Sequence, residues 1–477
     1  MSISSETRNT LERLFSQYRA SASLKDAVNY AKALEAASAG ARELDDKLKL
    51  CDDLSCLLER HRLPEIAESY ARALCGLTFA MTDVNDIRAY CETLRVLSDE
   101  YDSTEVAYQY MRSLYDLFLN SDAENETILR RMEGVYSRCH DGRSAYLYSS
   151  LHTGLKLDAG IVAHGREYMR DCYFKAIKSS SSSEVYIRNS PYIEGFIQPY
   201  VGNIYHYTAL TAVVNIIQNG ELWATQCDFL NDTEERRYIT KFLSSSRYDC
   251  VRENIERALT SDSYHAPTGA APLKRVVADM NRDIFIMSFS KDGDSLTLWS
   301  GYTNKCGFNI GFDSVRLFYR NNLSEFRGDA DCMVGGLVCY KPSDKPFAEL
   351  DDMIDSLTRD AKRYGLTDEQ TSCAIAAHVM YAGFFLKSSS MSAENEYRIV
   401  YMPVDKRAIN IRCKGNIPIP YAVYSDPALI RSSIKSICIG PTNEPGITAK
   451  GINYLVQSTP GLPSDLAISK SRVSLRY

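Results

Sequence analysis

Apolar positions in the first half of the chain recur at i, i+3, i+4 and i+7, the spacing that gathers them on one face of an α-helix. The pattern itself repeats. Ala27, Tyr30, Ala31, Ala33 and Leu34 are matched 40 residues on by Ala67, Tyr70, Ala71, Ala73 and Leu74, and again by Ala107, Tyr110, Met111, Ser113 and Leu114. The intervening segments align as well, Leu50, Leu54 and Leu57 with Tyr90, Leu94 and Leu97. Small residues at the crossing positions let paired helices approach closely. Polar turns at Ser21–Ser23 and Ser98–Glu100 separate them. The expected structure is a solenoid of helical hairpins, with a fourth, degenerate unit from about Ser144 to Ile177. A non-repeating helical bundle is the plainer alternative.

The serine tract Ser179–Ser183 then reads as a loop or linker, and beyond it the period changes. Gly202–Tyr207 is strand-like and aromatic, and Leu210–Asn219 is helical with Gly220 as its C-cap. Asp283–Ser290 and Gly307–Asp313 alternate as strands. Val334–Tyr340, Tyr397–Met402, Ile434–Ile439 and Ile468–Leu475 add further strands, interrupted by helical insertions at roughly 248–282 and 347–386. The layout is multidomain: an all-α helical-repeat solenoid over 1–178, a linker over 179–199, and an α+β domain over 200–477 with a mostly antiparallel mixed sheet.

Length agrees, since 477 residues exceed one ordinary core. The chain is 45% apolar and 24% charged, and 55 basic against 61 acidic residues give a net charge of −6, no sign of a general nucleic-acid surface. Fourteen cysteines form no CxxC pair, and Met1–Arg8 has no apolar segment of the signal-peptide kind, so reduced thiols and a cytoplasmic location are expected. The longest apolar stretch, Cys373–Leu386, is interrupted by His378 and too short for a bilayer, so no membrane partner is expected. No two of the seven histidines lie at i, i+4 and none neighbours a metal-type cysteine spacing, so no metal is expected. GxxxxGK[ST] and GxGxxG are both absent.

Chemistry is expected first at Ala393–Tyr401, where Glu394 and Glu396 open an apolar β-run. Residues i and i+2 of a strand share a face, which sets the two carboxylates side by side, opposite Tyr397 and Ile399. Adjacent like charges repel and raise one another's pKa. Folding does not need them, whereas a cleft that stabilises a developing cation does.

In chain order, Ile204–Thr208 (IYHYT), Leu230–Glu235 (LNDTEE), Met287–Ser290 (MSFS), Leu298–Tyr302 (LWSGY) and Glu394–Arg398 (ENEYR) resemble the bacterial domain-of-unknown-function family 2971 over about 200–477. Ile439–Gly440 and Ser471–Arg476 are similar to that family's closing strands. The family is similar in turn to the ADP-ribosyltransferase superfamily. That fold carries a His on its first core strand, an aromatic on the next and a Glu opening a later strand. Here His206, Tyr302 (with Trp299 as the other choice) and Glu396 match those positions, and Glu394-Asn395-Glu396 matches the ExE motif of arginine-directed toxins. Tyr207 stands where the superfamily usually has Gly. The first half resembles tetratricopeptide repeats, with a unit longer than the usual ~34 residues.

The resemblance implies an enzyme with NAD as substrate and no metal. Glu396 would stabilise the oxocarbenium-like transition state of nicotinamide–ribose cleavage, as in glycoside cleavage. Glu394 would orient the incoming nucleophile or accept its proton. His206 would bind the second ribose or the diphosphate, the Tyr207 backbone the nicotinamide amide, and Tyr302 or Trp299 would stack on the nicotinamide ring. Arg398, on the face of Glu396, completes the NAD-contacting set, and His206 and Glu396 are expected to face one groove. The function implied is an ADP-ribosyltransferase of a toxin-like or antiviral-defence effector, with a helical-repeat arm for a protein partner. The acceptor, protein or nucleic acid, stays open. An NAD glycohydrolase and a non-catalytic repeat adaptor binding a nucleotide or partner are the alternatives. Residue by residue, plainer roles compete: a core histidine, core aromatics, a strand-edge Glu396 paired with Arg398, and Asn231–Glu234 as the cap of a helix running to Phe242.

Overall fold

The computed structural model describes residues 4–473 apart from 42, 82, 122–124, 152–155, 180–189, 193–196, 199, 231–237, 244–247, 250, 253–254, 256–283, 304–305, 318–331, 343–346, 404, 442–443 and 464–465. The chain forms two compact units, Met1–Tyr168 and Met169–Tyr477.

In the first unit the 40-residue period folds as successive helices: α1 (Ser5–Ser21), α2 (Leu24–Gly40), α3 (Leu44–His61), α4 (Pro64–Thr78), α5 (Val84–Glu100), α6 (Thr104–Asn120), α7 (Asn125–Cys139), α8 (Gly142–Ser149) and the start of α9 (Ala159–Ser179). The repeated positions are buried: Ala27, Ala31 and Leu34 in α2, Ala67, Ala71 and Leu74 in α4, Ala107, Met111 and Leu114 in α6. They pack α2 on α4 and α4 on α6, with α3 and α5 against the same series. Caps set the helix starts. The Ser23 hydroxyl accepts from the Asp26 N–H at 3.1 Å, Asp83 from Asn85 at 2.7 Å, and Ser103 from Val106 at 3.4 Å. Pro64 occupies the first turn of α4, where its missing N–H costs nothing.

The boundary expected at 178 falls inside the second unit instead. Tyr173, Phe174 and Ile177 of α9 belong to that unit's hydrophobic core together with Tyr192 and Ile197. Phe174 stacks on Tyr364 at 4.5 Å. Most of the expected linker lies outside the described residues, as do Asn231–Glu234 with the first turn of the helix expected there, and 256–282 of the first helical insertion.

The second unit contains β1 (Asn203–Thr208), α10 (Leu210–Asn219), β2 (Glu221–Gln226), β3 (Phe285–Ser290), α11 (Leu296–Thr303), β4 (Phe308–Asp313), β5 (Cys332–Leu337), β6 (Cys339–Lys341), α12 (Ala348–Arg363), α13 (Asp368–Gly383), β7 (Leu386–Ser388), β8 (Glu396–Met402), β9 (Ile409–Lys414), β10 (Ile417–Ser425), α14 (Pro427–Ser433), β11 (Ile434–Ile439), α15 (Pro445–Gln457) and β12 (Ala467–Lys470). It is α+β, with a mixed and mostly antiparallel sheet. Strand β3 is the junction. One edge pairs in full with β8, from Phe285↔Tyr401 to Ser290↔Glu396. The other edge is shared, by β2 at Gln226↔Phe285 and Thr225↔Ile286 and by β1 at Tyr205↔Ser290. Met287, Ser288 and Phe289 pair with neither, so the sheet forks. One arm runs β1-β4-β11-β12 and the other β2-β10-β9, while β5 flanks β8. Only β11–β12 and the separate pair β6–β7 are parallel among the described strands.

Helix α10 crosses from one arm to the other. It ends at Gly220, whose φ of 64° favours glycine and whose N–H donates to the Ile216 carbonyl at 3.0 Å. Helix α13 opens with a capping box between Thr367 and Gln370. Its apolar run carries no polar face, so it is buried nearly all round. Within it, His378 donates through Nδ1 to the Ala374 carbonyl at 2.6 Å and meets the Ser190 hydroxyl through Nε2. No helix among the described residues is long and apolar enough to cross a membrane.

Candidate functional site

The fork leaves a cavity of about 720 Å³ lined by Met287, Ser288 and Phe289 and by the parted strands β1 and β2. His206, Tyr207, Tyr302, Glu394, Glu396 and Arg398 all border it; Trp299 does not.

Ser290 pairs with Tyr205 on one side and Glu396 on the other, and directly opposed residues share a face. Glu396 therefore leaves the sheet on the side of Tyr205, and His206 leaves on the opposite side. A single groove on one face, the expectation from alternation, is not how they meet. They border one cavity because β1 and β3 part beyond Tyr205. The imidazole bridges the gap, donating through Nδ1 to the Ser288 carbonyl at 3.0 Å, with its ring 5.5 Å from Phe289. Burial pushes the His206 pKa down, more than the Ser288 bond pushes it up, and nearby Arg412 adds to the fall. The ring is neutral, and the Ser288 bond assigns its proton to Nδ1. Nε2 is then an acceptor.

Glu394 is not part of the strand. It ends a 3₁₀ turn, Ser389–Glu394, and Asn395 turns through a left-handed conformation (φ 44°) before β8 begins. Asparagine tolerates that conformation better than most residues, and the turn breaks the period of two. The carboxylates still meet, through a cation. Lys387 Nζ on β7 lies 2.7 Å from Glu394 Oε2 and 2.8 Å from Glu396 Oε2. Glu396 also receives Arg398, whose Nε and Nη2 lie 2.9 Å from Oε1 and Oε2, and the Ser288 hydroxyl. Burial acts to raise the Glu396 pKa; Arg398, Lys387 and Ser288 outweigh it and hold the group well below the usual carboxylate range. The repulsion expected of two adjacent glutamates is thus cancelled by two cations. Arg398 is committed further, Nη1 donating to the Phe384 carbonyl at 2.5 Å.

The second oxygen of Glu394 accepts from the Tyr302 hydroxyl at 2.8 Å. Tyr302, 44% exposed, comes from α11. Trp299 on the same helix is fully buried, donating to Asp294 Oδ1 at 2.8 Å and packing edge-on to Tyr207 at 4.8 Å. Of the two aromatics, Tyr302 reaches the cavity and Trp299 fills the core. Both are helical, where the resembled fold places a strand residue. The Tyr207 hydroxyl donates to the Asp292 carbonyl at 2.7 Å and accepts from the Ser295 N–H at 3.0 Å. Burial raises its pKa to about 12, so it stays a phenol.

Lys387, Ser288 in its role toward Glu396, and Arg412 escape sequence reasoning. Lys387 carries no motif; its one signal is its place directly after the apolar run ending at Leu386. Together the wall offers a neutral imidazole acceptor, a phenol hydroxyl and a carboxylate pair whose charge is balanced by Lys387 and Arg398. Comparison of the chain with protein-family models, curated proteins and solved structures finds no match.

Proposed function

We propose that the second unit is an NAD-dependent ADP-ribosyltransferase of the kind its motif series resembles, and that the helical-repeat unit recruits a protein partner to it. The observation that carries the reading is the presence of His206, Tyr302, Glu394 and Glu396 on one cavity, large enough for much of a dinucleotide. Cleaving the nicotinamide–ribose bond develops positive charge on the ribose, and a carboxylate already in place stabilises it without reorganising. Glu394 suits that task better than Glu396. Its side chain is 17% exposed against 4%, and both oxygens of Glu396 are engaged by Arg398 and Lys387. Glu396 then acts as a positioning residue, holding Lys387, which holds Glu394. The Tyr302 ring stacks on the nicotinamide while its hydroxyl orients Glu394, and His206 Nε2 accepts from a ribose hydroxyl. A toxin-like or antiviral effector role rests on the resemblance of the motif series alone.

The commitment of Glu396 to Arg398 removes the second carboxylate that the Glu394-Asn395-Glu396 pattern offers a guanidinium acceptor. That favours NAD glycohydrolysis, with water as acceptor, as the second reading. Incubation of the full chain with NAD labelled separately in its nicotinamide and adenosine parts tests both. Adenosine label on protein or nucleic acid supports transfer; released nicotinamide without transfer supports hydrolysis. Intact NAD in every condition leaves a non-catalytic adaptor and ends the proposal.

A further inference from the structure

The same cavity is bordered on the β2–β10–β9 arm by Trp223, Thr225, Arg412 and Ile419. Arg412 Nη2 donates to Thr225 Oγ1 at 2.7 Å, and its guanidinium lies over the Tyr421 ring, 5.7 Å from the centroid. Tyr421 in turn packs on Trp223 at 4.4 Å. Register sets Tyr421 opposite Thr225, and Ile419 opposite Arg412, so these side chains rise from one face of the sheet. The guanidinium is held in place by a hydroxyl and an aromatic ring.

No carboxylate among the described residues pairs with Arg412. Of the acids on the cavity wall, Glu394 and Glu396 are bound to Lys387 and Arg398. Glu221 instead accepts from Asn215 Nδ2 at 3.4 Å and Trp223 Nε1 at 3.5 Å. Burial pulls the Arg412 pKa down, more than the neighbouring Tyr421 phenol pushes it up. A partly desolvated, oriented cation with no carboxylate partner among the described residues is costly to keep, and an anion in the cavity removes the cost.

We infer that Arg412 is a phosphate-binding residue, and that the cavity takes a nucleotide whose phosphate groups lie on its guanidinium. The planar fork matches phosphate oxygens two at a time, and the Thr225 bond fixes its plane. Trp223, 39% exposed beside it, offers an indole surface to the base. The choice of a dinucleotide as the natural ligand rests on the function proposed above; the phosphate site does not.

Calorimetric titration of the full chain with ADP and with adenosine tests the site. Wild-type protein is expected to bind ADP at least tenfold more tightly than adenosine. Arg412→Gln is expected to weaken ADP by roughly 10- to 100-fold and leave adenosine unchanged, the loss of a charge-assisted pair. Arg412→Lys, which keeps the charge without the fork, should fall between, with circular dichroism on the same samples verifying the fold. Equal ADP affinity in wild type and Arg412→Gln overturns the inference, as does wild-type protein that does not prefer ADP to adenosine. Turnover separates it from the function above. ADP binding through Arg412 without nicotinamide release keeps the phosphate site and removes the transferase. Nicotinamide release at unchanged KM in Arg412→Gln keeps the enzyme and removes the site.

Discussion

Glu396 and Arg398, two residues apart on β8, form a buried fork-to-fork ion pair, with both donor–acceptor distances at 2.9 Å and side chains 4% and 1% exposed. The period of two along a strand puts them on one face, and the sheet around them removes water. Breaking such a pair strands one charge in the interior, whereas replacing both partners by apolar residues of similar volume is often neutral or stabilising.

Glu396→Gln is therefore expected to lower unfolding free energy by roughly 3–5 kcal/mol, because Arg398 loses its counter-charge. The double variant Glu396→Leu/Arg398→Met should recover most of that. Urea denaturation of the single and double variants measures both, and a Gln variant as stable as wild type would deny the pair its structural role.

Glu394→Gln is expected to leave the fold intact, since Glu394 lies on a turn and is partly exposed. Nicotinamide release should fall roughly 10²- to 10³-fold, the cost of losing one preorganised electrostatic group. Steady-state assay of pure variant decides it: full activity would pass the role to Glu396.

Tyr302→Phe keeps the ring and removes the hydroxyl that orients Glu394. One hydrogen bond of about 1 kcal/mol predicts roughly a fivefold loss in kcat with little change in KM. A rise in KM alone would make the hydroxyl a binding group.

His378 should make stability depend on pH. Burial holds its pKa at about 4 in the folded protein, against ~6.5 for an unperturbed imidazole. Between those values the unfolded chain binds a proton that the folded one does not. The stabilisation is complete above pH ~6.5 and falls as pH is lowered to about 4, by up to about 3 kcal/mol. Urea midpoints between pH 4 and 7 should fall less steeply in His378→Asn than in wild type; identical slopes would show that the group does not titrate there.

In the first unit, Ser103→Ala removes the cap of α6 and a 2.8 Å bond to Glu68. A loss of about 1 kcal/mol is expected, with Ser103→Asp keeping the cap. Thermal unfolding followed by far-ultraviolet circular dichroism provides the measure.

By itself the sequence determined the helical hairpins, the polar turns between them and the change of period into an α+β half, and it directed attention to the start of β8 as a place to look for chemistry. Those features are local: Ala27, Ala67 and Ala107 repeat because each helix buries the same stripe, and Ile399 to Met402 form a continuous apolar run within one strand that is buried throughout. Tertiary structure alone decided that β3 shares one edge between β1 and β2, which lets His206 and Glu396 border one cavity from opposite faces. It also decided that α9 gives Tyr173, Phe174 and Ile177 to the second unit, that Trp299 turns inward while Tyr302 turns to Glu394, and that Lys387 joins two glutamates that a left-handed Asn395 takes out of strand register. Each depends on residues far apart in the chain meeting across strand order, and periodicity within a segment carries no information about which distant segment will supply its neighbour or its counter-charge.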